Sequence, residues 1–328
     1  MNYAKENALY KEKEMKEHKE LLKIKPIFKE VIWGGSKLAS AWHYSIPSNT
    51  TGECWAVAAH KNGDGEVIGS SYTGRTLSDL WKNEKALFGN ADGEVFPLLV
   101  KIIDAKSDLS IQVHPDDAYA GEHENGSLGK TECWYILDCE EGASIVAGHN
   151  AKTREELEGM IREGKWNDLI REVPVKKGSF IQIEPGTVHA IKGGLMILET
   201  QQNSDITYRV YDYDRLQNGV PRQLHVQQSI DVITVPSGSA SQLVKDMSGL
   251  PENVMNEMIS CPYYTVWKMN VNGEMKFEQD KNFMILSIIE GKGFLNGQSV
   301  IKGDHFILPY KYGEVVLEGA MEVIASAV

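Results

Sequence analysis

A mainly β chain built from two related barrels or sandwiches, with one small helical insertion, is what the sequence predicts. Short apolar runs rich in β-branched and aromatic residues recur between Gly and Pro punctuation, one amphipathic segment interrupts them, and one β-type stretch occurs twice in degenerate form. The length of 328 residues suits roughly two domains of about 150 residues each, enough to bury a core without disulfide staples.

Residues 5 to about 22 alternate Lys and Glu with Ala, Leu and Met, which predicts an exposed N-terminal helix supported by charge pairs. From Lys25 onward, β-type runs follow at 31–35 (VIWGG), 54–60 (CWAVAAH), 96–105 (FPLLVKIIDA) and 109–115 (LSIQVHP), with a short helix expected over 76–87. Residues 152–171 set Leu157, Met160 and Ile161 near a helical period, with Trp166 and Ile170 following. Thr153 is placed as N-cap and Glu156 as its capping-box partner.

The repeated stretch reads VKKGSFIQIEPGTVHAI at 175–191 and VIKGDHFILPYKYGEVV at 300–316. Four residues beyond Pro185 stands His189, and four beyond Pro309 stands Gly313, so only the first copy keeps a donor there. The expected organisation is a charged extension over 1–24, a site-bearing domain over 25–235 and a degenerate second domain over 236–328 without metal ligands.

With 34 Lys plus Arg against 46 Asp plus Glu, the net charge of −12 argues against nucleic acid or an anionic membrane as partner. An anionic small substrate would need a local cluster of cations. Cys54, Cys133, Cys139 and Cys261 show no CxxC spacing, and no signal-like or 18-residue apolar run occurs, which predicts a cytoplasmic protein with reduced thiols. The sequence demands no more than a monomer or weak homo-oligomer.

In SIQVHPDD, Gln112 and His114 are two apart on a strand-like run and share a face. Glu132 in GKTECWYIL and His189 in PGTVHAI stand on further β runs. Together they offer two imidazole nitrogens, a carboxylate and a neutral oxygen, a set suited to a catalytic divalent metal. Each alone reads equally well as an ordinary hydrogen-bonded residue. His123, His149, His225 and His305 show no matching pattern and are expected to be structural or exposed, and Trp33, Trp55 and Trp134 to line core or pocket.

The strings IQVHPDD, GKTECWYIL, PGTVHAI and ETQQNSDITYRVYDY, in this order and with WGG, GECW and FPLLVKIIDA beside them, resemble type I mannose-6-phosphate isomerases in their shorter bacterial form. The resemblance covers about 25–328. It implies two cupin-type (jelly-roll) β-barrels, one Zn²⁺ per chain, and interconversion of mannose 6-phosphate and fructose 6-phosphate. It also implies Gln112, His114, Glu132 and His189 as metal ligands, and Ser110, Lys130, Glu199 and Arg209 as active-site residues, with Arg209 catalytic. Moving a carbonyl between C1 and C2 through a cis-enediol needs a proton carrier, for which Lys130 and Glu199 are candidates, and a cation beside the enediolate. For the phosphate, Arg215 follows Arg209 on one segment and joins Lys130 and Ser110, although Asp212 and Asp214 beside it also allow a plain ion pair. Two other readings remain open at this stage: an iron-dependent cupin dioxygenase, and a sugar-binding cupin without turnover.

Overall fold

The computed structural model describes residues 20–239 and 243–328. Nearly all of the helix expected over residues 5 to about 22 lies outside them. At its end, Leu22–Lys25 is a strand. Among the described residues, strands predominate and the helices are short.

Two compact units interleave along the chain, one of residues up to 27, 55–98 and 249–328, the other of 28–54 and 99–248. The expected serial boundaries at 24/25 and 235/236 are therefore not where the chain divides. Residues 55–98 belong with the C-terminal part because sheet pairing, which ignores sequence distance, places Glu66–Ile68 beside Leu22–Lys25 and that strand beside His305–Leu308.

In the unit of residues 28–54 and 99–248, nine strands frame the site. They are β1 (Leu98–Asp104), β2 (Ile111–Val113), β3 (Glu132–Asp138), β4 (Ser144–His149), β5 (Ile170–Pro174), β6 (Ser179–Ile183), β7 (His189–Ile191), β8 (Met196–Gln202) and β9 (Tyr208–Tyr211). One antiparallel sheet runs β5-β4-β7-β2-β9, and β6-β3-β8-β1 are consecutive in the other. Side chains alternate along each strand, so Ile145, Ala147 and Ile191 of the first sheet meet Ile103, Trp134, Ile136, Ile181, Ile183 and Ile197 of the second in one shared core. By the same parity His189, Gln112 and Arg209 face that inter-sheet space, as do Lys101, Glu132 and Glu199.

The outer face of the five-stranded sheet carries Ile111, Val113, Val146, Ala190, Tyr208 and Val210, which pack under Leu157, Ile161 and Leu169. These last residues come from the helical insertion, found as Arg154–Arg162 and Trp166–Leu169. Met160, Trp166 and Ile170 lie partly buried against the same core. Thr153 caps the first helix by accepting the Glu156 N–H at 3.2 Å, while the Glu156 carboxylate accepts the Lys152 N–H at 2.6 Å, one residue earlier than a capping box would use.

The other unit buries Met269, Leu286, Phe306, Leu317 and Val323 between long strands, including Thr265–Gln279, Met284–Leu295 and Gly313–Ala327. The repeat is visible in backbone conformation. Gly178 (φ 86°) and Gly303 (φ 92°) both take the left-handed conformation before a strand, each donating its N–H to an Ile carbonyl at 2.9 Å. His189 opens β7, and Gly313 opens Gly313–Ala327.

One expected strand is corrected: VIWGG forms turns with an isolated Gly34–Ala105 bridge. A Cβ on Gly34 would sit 2.4 Å from the Thr50 carbonyl oxygen, so the two glycines there serve close backbone approach rather than a ladder. The helix over 76–87 appears as Leu77–Asn83, capped by Thr76, and a 3₁₀ turn at Lys85–Phe88. Its Trp81 packs with Phe88, Phe96 and Phe283 at ring-centroid distances of 5.1, 5.4 and 6.2 Å. Trp81→Ala is expected to cost about 3–5 kcal/mol, read as a lowered denaturant midpoint by circular dichroism.

Candidate metal centre

Three buried side chains from three strand regions converge. His114 follows β2, where Pro115 ends the strand, while Glu132 opens β3 and His189 opens β7. Each imidazole is oriented from behind: Nδ1 of His114 lies 2.8 Å from the Ile206 carbonyl and Nδ1 of His189 lies 2.8 Å from that of Thr187. With Nδ1–H donating to those carbonyls, both Nε2 lone pairs point into one space, 3.1 Å apart. Glu132 reaches the same point, Oε2 lying 3.4 Å from His114 Nε2 and Oε1 3.4 Å from His189 Nε2. The three ligand atoms fall within 4.8 Å of one another, the one such group of His, Cys, Asp and Glu found among the described residues.

Two facing lone pairs with an anion beside them repel unless a cation lies between. Glu132 Oε1 is buried without a hydrogen-bond partner, an orphan that a divalent metal would satisfy. Gln112 pairs directly with His189 across β2 and β7, and its side-chain amide lies 3.3 Å from His189 Nε2. Its oxygen and nitrogen exchange by a simple flip, so Gln112 can turn an oxygen toward a metal. The donor set fits a divalent metal.

Lys130 occupies the edge of this space. Its ammonium donates to Glu132 Oε2 and lies 3.1 Å from His114 Nε2, standing where positive charge is needed. Gly129 makes that position reachable, since a Cβ there would sit 2.5 Å from the Asp116 backbone. The Gly129 N–H donates to Asp117 Oδ1 at 2.7 Å. Glu199 on β8 accepts from Trp134 Nε1 at 3.0 Å and pairs with Lys101 at 3.3 Å.

The environments drive the carboxylates apart. Burial raises the pKa of Glu132, yet Lys130 and the two histidines outweigh it and leave it well below the usual range. Glu199 is raised, first by burial and then by the charge of Glu132, with Lys130 and Lys101 opposing. One carboxyl is thus held as an anion and its neighbour is eased toward protonation, a division found where acid–base work is done. Burial above all lowers His114 to about 3 and also lowers His189, keeping both neutral as metal binding requires.

Arg209 lies opposite Gln112 across β9 and β2, so His189, Gln112 and Arg209 form one row of inward-facing residues. Ser110 is buried two residues before Gln112. Arg215 is not presented to this space: Nε and Nη2 bond the Asp212 carbonyl and carboxylate at 3.2 and 2.5 Å, and Nη1 bonds the Asp108 carbonyl. The plain ion pair, weighed beside the phosphate role in the sequence, is what the structure displays for it.

Two residues, Lys101 and Arg222, escaped the sequence reading, and His225, expected to be structural or exposed, has a structural role beside them. Lys101 interrupts the apolar run LLVKIID, a signal by itself because a buried lysine in a strand needs carboxylates around it. Burial lowers its pKa, but Glu199, Glu53 and Glu132 outweigh that and leave it raised. His225 accepts the Arg209 N–H on Nδ1 at 3.2 Å, and its own N–H donates to the Arg209 carbonyl at 2.9 Å, fixing that strand edge. Arg222 joins Arg215 on Asp212, and no motif marks it.

Comparisons with known proteins agree with this arrangement. Residues 21–156 match the model of the phosphomannose isomerase type I catalytic domain, and residues 254–328 that of the mannose-6-phosphate isomerase cupin domain. Mannose-6-phosphate isomerase ManA of Bacillus subtilis (strain 168) is 52% identical over 94% of this chain and 98% of its own. The chain belongs to the type I phosphomannose isomerase family. A mannose-6-phosphate isomerase of Streptococcus mutans is 47% identical over 90% of this chain and 94% of its own. A crystal structure of the Bacillus subtilis mannose 6-phosphate isomerase superposes with a TM-score of 0.87 at 44% identity, covering 94% of this chain and 99% of that one. The cupin fold expected of this family is thus present in the chain, which is mainly β with a small helical insertion.

Stability of the metal-free protein should fall as pH drops below about 6.5. The unfolded histidines take up protons there, while folded His114 resists them down to about 3. Depressed Glu132 adds to this loss at lower pH, and raised Glu199 opposes it. Urea midpoints from pH 7 to 5 should show the slope, and His114→Gln with His189→Gln should flatten it.

Proposed function

We propose that this isomerase interconverts mannose 6-phosphate and fructose 6-phosphate through a cis-enediol, with Zn²⁺ held by His114, Glu132 and His189 and by Gln112 as a fourth donor. The observation that carries the reading is the convergence of two oriented imidazoles and an orphaned carboxylate oxygen in one buried space. Membership in the family supports the choice of reaction. Two nitrogens and one anionic oxygen suit zinc and would leave a bound ion the net positive charge needed to polarise the sugar oxygens.

The chain supplies the remaining chemistry. Glu199, held by Trp134 and eased toward protonation, takes the proton from one carbon and returns it to the other. Lys101 balances Glu199 when it is charged. Lys130, beside Glu132, would donate to a sugar hydroxyl, and Ser110 to another. Arg209, a permanent cation one strand from Gln112, faces the negative charge that develops on the enediolate. The sheets on either side exclude water from this step.

Protein stripped of metal should convert mannose 6-phosphate only after Zn²⁺ is returned; silence in both conditions contradicts the proposal. Reloading with Fe²⁺ should give no oxygen consumption, which sets aside a dioxygenase. Glu199→Gln should lower kcat by roughly 10²- to 10⁴-fold with little change in KM, measured by a coupled assay for fructose 6-phosphate.

A further inference from the structure

Three arginines, Arg209, Arg215 and Arg222, gather around one carboxylate, that of buried Asp212. Three arginines around one buried carboxylate form a local cluster of cations in a chain whose net charge is −12. The hydrogen bonds divide the three by task. Arg215 spends every side-chain nitrogen on protein acceptors, as described above, and its guanidinium also lies 5.1 Å from the centre of the Tyr213 ring. It is a strut. Arg222 gives Nε to Asp212 Oδ2 at 2.7 Å and Nη2 to Oδ1 of the same carboxylate, while Nη1 has no hydrogen-bond partner among the described residues. Among the same residues the Arg209 side chain has no hydrogen-bond partner, and its Nε is buried.

The backbone relates the segments that carry these two arginines. The row His189, Gln112, Arg209 crosses the sheet away from the metal-binding triad and ends at β9, an edge strand. His225 is bonded to both the N–H and the carbonyl of Arg209, so the segment that carries Arg222, three residues earlier, runs along the outer side of that edge. Burial, and then the charge of Arg222, lowers the pKa of Arg209 against the opposing pull of Asp212, so Arg209 and Arg222 are like charges held near each other and near the one carboxylate that Arg222 already bonds. Unfilled guanidinium donors in mutual repulsion form a site for a compact, multiply charged oxyanion.

We propose that Arg222 binds the phosphate of the sugar phosphate, with Asp212 fixing its plane and Arg215 bracing Asp212, while Arg209 lies between that phosphate and the metal. This assignment rests on the isomerase reading and deepens it. It takes the phosphate role from Arg215 and separates it from that of Arg209: the sugar's reacting carbons lie toward the triad, and its phosphate lies at the sheet edge. Selection for a phosphorylated sugar then comes from a residue outside the strings that carry the resemblance.

The test uses full-length zinc-loaded protein, wild type and the variants Arg222→Gln and Arg222→Lys. Arg222→Gln should raise KM for mannose 6-phosphate by roughly 10- to 100-fold, the loss of one charge-assisted contact, and weaken competitive inhibition by inorganic phosphate by a similar factor. Arg222→Lys, which keeps the charge without the fork, should fall between the two. Wild-type KM and inorganic phosphate inhibition in Arg222→Gln would overturn the proposal, as would a fall in kcat at unchanged KM, which would mean that Arg222 acts only through Asp212. If Arg222→Gln does not fold, the Lys variant decides by the same two constants. Calorimetric binding of inorganic phosphate to wild type, lost in the variants, needs no turnover. A wild type that binds phosphate but does not isomerise therefore defeats the isomerase reading alone.

Discussion

Two imidazole lone pairs facing each other across 3.1 Å, with a buried carboxylate beside them, make up the constraint on which the rest of this site depends. Left alone, such a cluster is unfavourable: burial strips the carboxylate of water, and the imidazoles have nothing to give their electrons to. The protein holds it together from behind, through the carbonyls of Ile206 and Thr187, and from the side, through the Lys130 ammonium. What would be a defect in an ordinary core is a prepared socket for a cation.

Charge is then passed inward in alternating sign. Lys130 answers Glu132, Glu199 lies under the influence of both, and Lys101 answers Glu199. Each charge lowers the cost of burying the next, so removing one member leaves its neighbour an uncompensated ion in a dry space. The ladder also explains how two carboxyls so close together behave oppositely. Glu132 takes the Lys130 ammonium as its donor and stays ionised, whereas Glu199 feels the Glu132 charge as well as its own burial. Apolar residues of the two sheets fill the rest of the sandwich and hold these groups at fixed separation.

Much of this could be read before any coordinates. The period-2 placement of Gln112 and His114, the Pro that ends their strand, and the repeated Lys-Gly turn are local signals, and local signals survive in a sequence. The capped helix after Thr153 was legible for the same reason. The units could not be read, because residues 55–98 join the C-terminal strands through pairing that leaves no mark on composition. VIWGG looked like a strand because it opens on an apolar run, but its glycines serve close packing. Arg215 and Arg222 show the limit most clearly: both lie near acidic residues or turns, and only the hydrogen-bond inventory tells which is spent on structure and which has an end to spare. Lys101 carried a faint signal, a cation in an apolar strand, whose meaning depended on Glu199 nearly a hundred residues away.

The helical insertion packs on the outer face of the five-stranded sheet, with the catalytic candidates on the inner one. The sheet therefore acts as a partition, and chain length on one side is decoupled from geometry on the other. Closing a longer loop costs little once its ends are fixed. The exposed turn at Gly164 (φ 67°), between the two short helices, is accordingly a place where the polypeptide can lengthen, or receive a grafted reporter, without the metal-binding cluster registering the change.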